Sequence, residues 1–120
     1  AMALQTRDVV EAMSTAAGVA VKALRVDGGA AVMDLLLQIQ ADQLGVPVRR
    51  PKDQETTALG AAFLAGLAEG VWPSLDAIAE RWELDAVFEP IGGDLQVFTD
   101  LLHAQWTEAV SRSRDWAPHT

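Results

Sequence analysis

Hydrophobic and polar positions along this chain follow helical spacing in some stretches and a strand-like pattern in others. From Thr6 to Ala17, Val9, Val10, Met13, Ala16 and Ala17 recur at helical steps, and Gly18 supplies a stop. Val19 to Asp27 is β-rich, with Leu24 and Val26 flanking the charged Arg25, and Gly28-Gly29 breaks it. A second helix is predicted from Val32 to Leu44, carried by Met33, Leu36, Leu37, Gln40 and Leu44, with Gly45 ending it. Val46-Pro47-Val48-Arg49 is too short for a helix and reads as a strand closed by Pro51. Glu55-Thr56-Thr57 opens a third helix, capped by Thr56 or Thr57 and running to about Ala68, with Gly70 closing it. Ser74 caps a short helix from Leu75 to Trp82. Leu84 to Pro90 reads as extended or irregular, and Ile91-Gly92-Gly93 as a turn. Asp94 caps a last helix to about Ser113, and the tail ending in Pro118 is expected to fray.

This order predicts a helix-rich α/β fold with two short parallel strands joined by a right-handed crossover. Two strands make a poor sheet, because three or more are usually needed for independent stability. The 120 residues therefore read as a single partial domain. Either the chain is a piece of a larger fold, or two copies complete each other. On that ground the isolated chain is expected to associate as a homodimer.

Composition narrows the classes. Half of the residues are hydrophobic, enough for a core. No apolar run is long enough for a membrane span, so no membrane partner is expected. The N-terminus lacks the basic-then-apolar pattern of a signal peptide. Cysteine is absent, which removes disulfides and thiolate metal sites. Together these fit a cytoplasmic location. A net charge of −8 argues against nucleic acid as a partner. The only compact basic cluster, Arg49-Arg50-Pro51-Lys52, reads as a solvated loop.

Candidate chemistry centres on Asp27-Gly28-Gly29. A strand, a glycine turn and a helix start aim backbone N–H groups at whatever sits above the turn, and phosphate is the usual occupant. A tight turn with no ligand uses the same residues, and on spacing alone both readings stay open. The small residues Ala58, Ala61, Ala62, Ala65 and Gly66 suit close packing of the third helix against a neighbour. Gln38, Gln40 and Asp42 are expected to face solvent or cap neighbouring backbone, with ligand contact as the alternative. His103 and His119 lie too far apart to suggest a metal site, and no metal ligand is assigned. Trp72, Trp82, Trp106 and Trp116 read as packing anchors, since the basic interleaving of a stacking platform is missing. Ser14, Ser74, Ser111 and Ser113 have no nucleophile elbow around them, and the Gly-Lys-Ser/Thr phosphate loop is absent. No catalytic residue is assigned.

Several blocks nevertheless occur in a recognisable order. They are Ala3-Leu4-Gln5-Thr6-Arg7-Asp8-Val9-Val10-Glu11-Ala12-Met13, Leu24-Arg25-Val26-Asp27-Gly28-Gly29, Leu36 to Val48, and Glu55 to Ala68. Together they resemble the last third of the FGGY carbohydrate kinases, and within them the glycerol kinase branch. The resemblance implies the C-terminal portion of an actin-like ATPase (ribonuclease H-like) domain, one of two around a cleft. It implies ATP- and Mg2+-dependent phosphorylation of glycerol to glycerol 3-phosphate. It also implies that the turn at Gly28 and Gly29 contacts the nucleotide phosphates, and that Met33 lies beside the adenosine. The family normally has asparagine at that last position. Its catalytic aspartate and glycerol contacts belong to an upstream part, so this segment is expected to close one side of the nucleotide cleft and to be inactive alone. The alternatives are a segment of a related sugar or polyol kinase, and a non-catalytic nucleotide-binding or interaction module.

Overall fold

The computed structural model describes residues 1–117. Nine segments follow one another: α1 (Met2–Ala17), β1 (Leu24–Arg25), a 3₁₀ turn (Gly29–Val32), α2 (Asp34–Leu44), β2 (Val48–Pro51), α3 (Thr56–Ala68), α4 (Leu75–Ala79), β3 (Leu84–Phe88) and α5 (Gly93–Ser113). The α/β class and the helix-rich character agree with the sequence.

The sheet corrects one expectation. It has three strands in the order β1-β2-β3, where two parallel strands were predicted. β1 and β2 are parallel, with Leu24 opposite Val48 and Arg25 opposite Arg49. β3 joins antiparallel, with Val48 opposite Phe88, and the ladder slips between Arg50 and Pro51. Leu84 to Phe88 is thus a strand, with Ala86 and Phe88 turned partly inward between exposed Asp85, Val87 and Glu89. β1 is far shorter than the β-rich stretch from Val19. Its ladder begins only where a partner exists, with Leu24 N–H donating to Pro47 O at 2.9 Å and Val26 N–H to Arg49 O at 3.0 Å.

The helix boundaries also move for local reasons. α1 begins at Met2, because Ala3 is buried and its carbonyl accepts from Gln40 Nε2 at 3.3 Å. α2 begins at Asp34, because Met33 is extended (φ −84°, ψ 96°). Thr56 does not cap α3; its hydroxyl donates to the Asp27 carboxylate, while Asp53 Oδ1 accepts from Glu55 N–H at 3.0 Å. Ser74 caps α4 as expected, accepting from Ala77 N–H at 3.2 Å, but the helix stops at Ala79. Gly92, with φ 71°, occupies the N-cap of α5, so Asp94 lies inside its first turn. Gly18 and Gly45 end α1 and α2 in the left-handed conformation that glycine adopts without strain.

The core lies between α2 and the sheet. Leu37, Ala41 and Val48 are buried, with Leu24, Val26 and Phe88 packed around them. α1 and α5 flank α2. Arg7 ties the three helices together, pairing with Glu11 and Asp100 at 2.8 Å each and reaching Gln43 Oε1 at 3.4 Å. Asp42 is buried and accepts from Gln38 Nε2 and Ile91 N–H, while Gln40 donates to backbone, so this trio caps neighbouring backbone. The small face of α3, in contrast, stays exposed at Ala58, Ala61, Ala62 and Ala65.

The molecule is open. Its radius of gyration is 18.0 Å, against about 14 Å for a compact chain of this length. Its accessible surface is 8477 Å², against about 6,300 Å² for a compact monomer of this mass. Among the described residues no helix is long and apolar enough to cross a membrane.

Candidate nucleotide-phosphate turn

The end of β1 leads straight into the glycine turn. Gly28 has φ 83° and ψ −179°, a conformation that side chains with a Cβ rarely adopt. The turn is fastened to the segment that follows β2. Gly28 N–H donates to Gln54 O at 3.1 Å, and Asp27 accepts the Thr56 hydroxyl. Ala31 N–H closes the turn onto Gly28 O at 3.0 Å. The N–H groups of Gly29 and Ala30 have no hydrogen-bond partner among the described residues. A Cβ built at Gly28 or Gly29 would meet nothing within 4 Å, so the space above the turn is open. This arrangement leaves two backbone donors unpaired, the kind of group that a phosphate would take up.

Met33 follows on the same segment. It is 48% exposed and its N–H donates to Ala30 O at 3.2 Å, so the 3₁₀ turn ends on it. The structure therefore keeps Gly28, Gly29 and Met33 in one short stretch of backbone. Behind them a pocket of about 230 Å³ lies between α1, β1 and α2, reaching Met2, Asp27, Ala30 and Gln40. A larger cleft of about 510 Å³ opens beside Thr56, between the sheet and α3–α4, and holds Trp72 and Trp82.

Arg50 is the residue that sequence reasoning misplaced. The basic run does not form a solvated loop; Arg49 and Arg50 belong to β2, and the Arg50 side chain is only 12% exposed. It donates to Ala31 O at 3.0 Å and pairs with Asp34 at 2.7 Å and Asp85 at 2.8 Å. These bonds, to Asp34 first and then to Asp85, raise the guanidinium pKa above its ordinary value. The one signal was strand alternation: Val48 and Arg50 fall on one face, Arg49 on the other.

The remaining candidates settle as follows. Trp72 packs edge-on against Phe63 with Arg81 over its ring, Trp82 lies under Arg25, and Trp106 donates to Asp8. Trp116 is 90% exposed and anchors nothing. His103 bonds Asp8 at 2.7 Å, while His119 lies outside the described residues, as does Pro118. Among the described residues no three His, Cys, Asp or Glu side chains gather to hold a metal ion.

A mixed sheet backed by helices, with a glycine turn leaving β1, belongs to the actin-like ATPase class, as the structural neighbours show. The C-terminal domain profile of the FGGY family of carbohydrate kinases matches residues 1–69, and the chain belongs to that family. A glycerol kinase of Pseudomonas savastanoi is 52% identical over 118 residues, covering 98% of this chain and 23% of its own length. Glycerol kinase 2 of Thermotoga maritima is 54% identical over 115 residues, covering 96% and 23%. The chain thus spans about a quarter of the length of the curated relatives it matches. Among solved structures, Plasmodium falciparum glycerol kinase with ADP superposes with a TM-score of 0.75 at 31% identity, over 94% of this chain and 22% of that one. Xylulose kinase from Rhodospirillum rubrum has the same TM-score at 21% identity, over 96% and 23%, a likeness of fold alone.

Proposed function

We propose that this chain forms one wall of the nucleotide cleft of an ATP-dependent kinase that phosphorylates glycerol to glycerol 3-phosphate. Gly28 and Gly29 contact the nucleotide phosphates, and Met33 lies beside the adenosine. The observation that carries this is the open glycine turn, with Gly29 and Ala30 N–H groups unpartnered. Support comes from the identity to glycerol kinases along nearly the whole chain.

The chemistry divides between this wall and the rest of such a kinase. Phosphoryl transfer needs positioning and charge stabilisation around the transferred group. The turn supplies two fixed donors for phosphate oxygens. Methionine at 33 offers apolar contact but none of the amide hydrogen bonds of asparagine. Among the described residues no three His, Cys, Asp or Glu side chains gather as Mg2+ ligands, and no step is assigned to the metal. The base that would accept the glycerol hydroxyl proton also lies outside this segment, so the chain alone is inactive. Cytoplasmic location and self-association, as a homodimer covering the open surface, complete the proposal.

Titration with ATP, followed at the Gly29 amide by NMR, tests the local site. A dose-dependent shift at Gly29 and Ala30 is expected, and an unmoved turn at millimolar ATP would sink the nucleotide reading. Glycerol-dependent ADP formation by the purified chain, free of host kinase, would overturn the inactivity.

A further inference from the structure

Of the run Arg49-Arg50-Pro51-Lys52, Arg50 is the cation drawn in beside the glycine turn. Its guanidinium bridges three segments: the 3₁₀ turn at Ala31, the first turn of α2 at Asp34, and β3 at Asp85. Its centre also lies 5.5 Å from the Phe88 ring centroid. From its place on β2, its hydrogen bonds therefore tie the segment after Gly29 to β3 as well.

Asp34 explains why this matters. It stands in the first turn of α2, where a carboxylate favours the helix but repels a phosphate placed at the preceding turn. With Arg50 at 2.7 Å that charge is answered locally. Lysine would answer the charge but lacks the planar fork that reaches Ala31 O, Asp34 and Asp85 together.

We propose that Arg50 is a positioning residue for the nucleotide phosphates, fixing the 3₁₀ turn through Ala31 O and offsetting part of the Asp34 charge beside it, its single charge being shared between Asp34 and Asp85. This rests on the nucleotide reading of Gly28 and Gly29. It predicts an effect that depends on phosphate, which a purely structural role would not produce.

The test compares MgATP with adenosine in NMR titrations of the whole chain, read at the Gly29 amide. Arg50→Ala is expected to weaken ATP binding roughly two- to fivefold and leave adenosine unchanged. Adding Asp34→Asn to that variant is expected to restore most of the ATP affinity. Asp34→Asn alone is expected to tighten ATP by a similar factor, which keeps the test decisive where Arg50→Ala does not fold. Equal losses for ATP and adenosine, no recovery in the double variant, or no gain from Asp34→Asn would overturn the role of Arg50 and leave the nucleotide site standing. No ATP-dependent shift in the unsubstituted chain would remove the nucleotide site, and the role of Arg50 with it.

Discussion

Arg25 and Arg49 stand directly opposite each other on the two parallel strands β1 and β2. Both are exposed, and neither has an ion-pair partner among the described residues. Like charges in that position oppose strand pairing. Arg25 is partly satisfied by Trp82, whose ring centroid lies 4.6 Å from its guanidinium carbon. Replacing Arg49 by glutamate would turn the pair attractive. Arg49→Glu is expected to stabilise the fold by about 0.5 kcal/mol at low salt, with the gain shrinking as salt rises. Thermal melts in low and high salt check this, and a lower melting temperature at low salt would refute it.

Gly66 has no room for a methyl group. A Cβ there would sit 2.7 Å from Trp72 Nε1 and 2.9 Å from its Cδ1. Trp72 is itself held edge-on to Phe63, with ring centroids 5.7 Å apart. Gly66→Ala is expected to push the indole outward and cost about 1–3 kcal/mol. Red-shifted tryptophan emission should accompany the loss, and an unchanged spectrum and melt would show that the indole moves freely.

Acid is expected to loosen α5 from α1. Trp106 Nε1 first, and then His103 Nε2, donate to Asp8 at 2.7 Å and hold its carboxyl below the usual carboxylate range. Arg7, and then Gln96, do the same for Asp100. Both groups bind protons less readily when folded than when unfolded. Their stabilisation is therefore complete above the ordinary carboxylate pKa of about 3.9, and it is lost as pH falls through the lower folded values. An acid titration of near-ultraviolet circular dichroism should show this loss, with a shallower acid limb in Asp8→Asn. Identical acid limbs in the two proteins would dismiss the Asp8 contribution.

The open surface should drive association. Met13, Leu35, Leu64, Val97 and Phe98 are each more than half exposed, and the accessible area exceeds that of a compact monomer by about 2,200 Å². Each partner of an ordinary specific interface buries only about 800 Å². Sedimentation across micromolar to millimolar protein is expected to show a rising mass that approaches the dimer. A constant monomer mass with a cooperative melt would count against it.

Local pattern made much of this fold legible, and long-range pairing hid the rest. The glycine turn, the Gly45 stop and the Ser74 cap were readable because each depends on a few neighbouring residues. β3 was obscured because Asp85 breaks its apolar run and its partner β2 is separated from it by two helices. The long β-rich stretch before Gly28 shrank to two residues because β2 is all it can pair with. Met33 could be picked out by resemblance, but its extended backbone could not. Arg50 was missed for the same reason as β3: its partners Ala31, Asp34 and Asp85 are brought to it only by the sheet.

The shallow core also has a calorimetric consequence. Denaturant sensitivity and the heat capacity of unfolding both scale with the surface that unfolding newly exposes. A chain that already leaves so much surface in water has less left to uncover. Its unfolding transition as a monomer is expected to be broad, and covering the open face should steepen it.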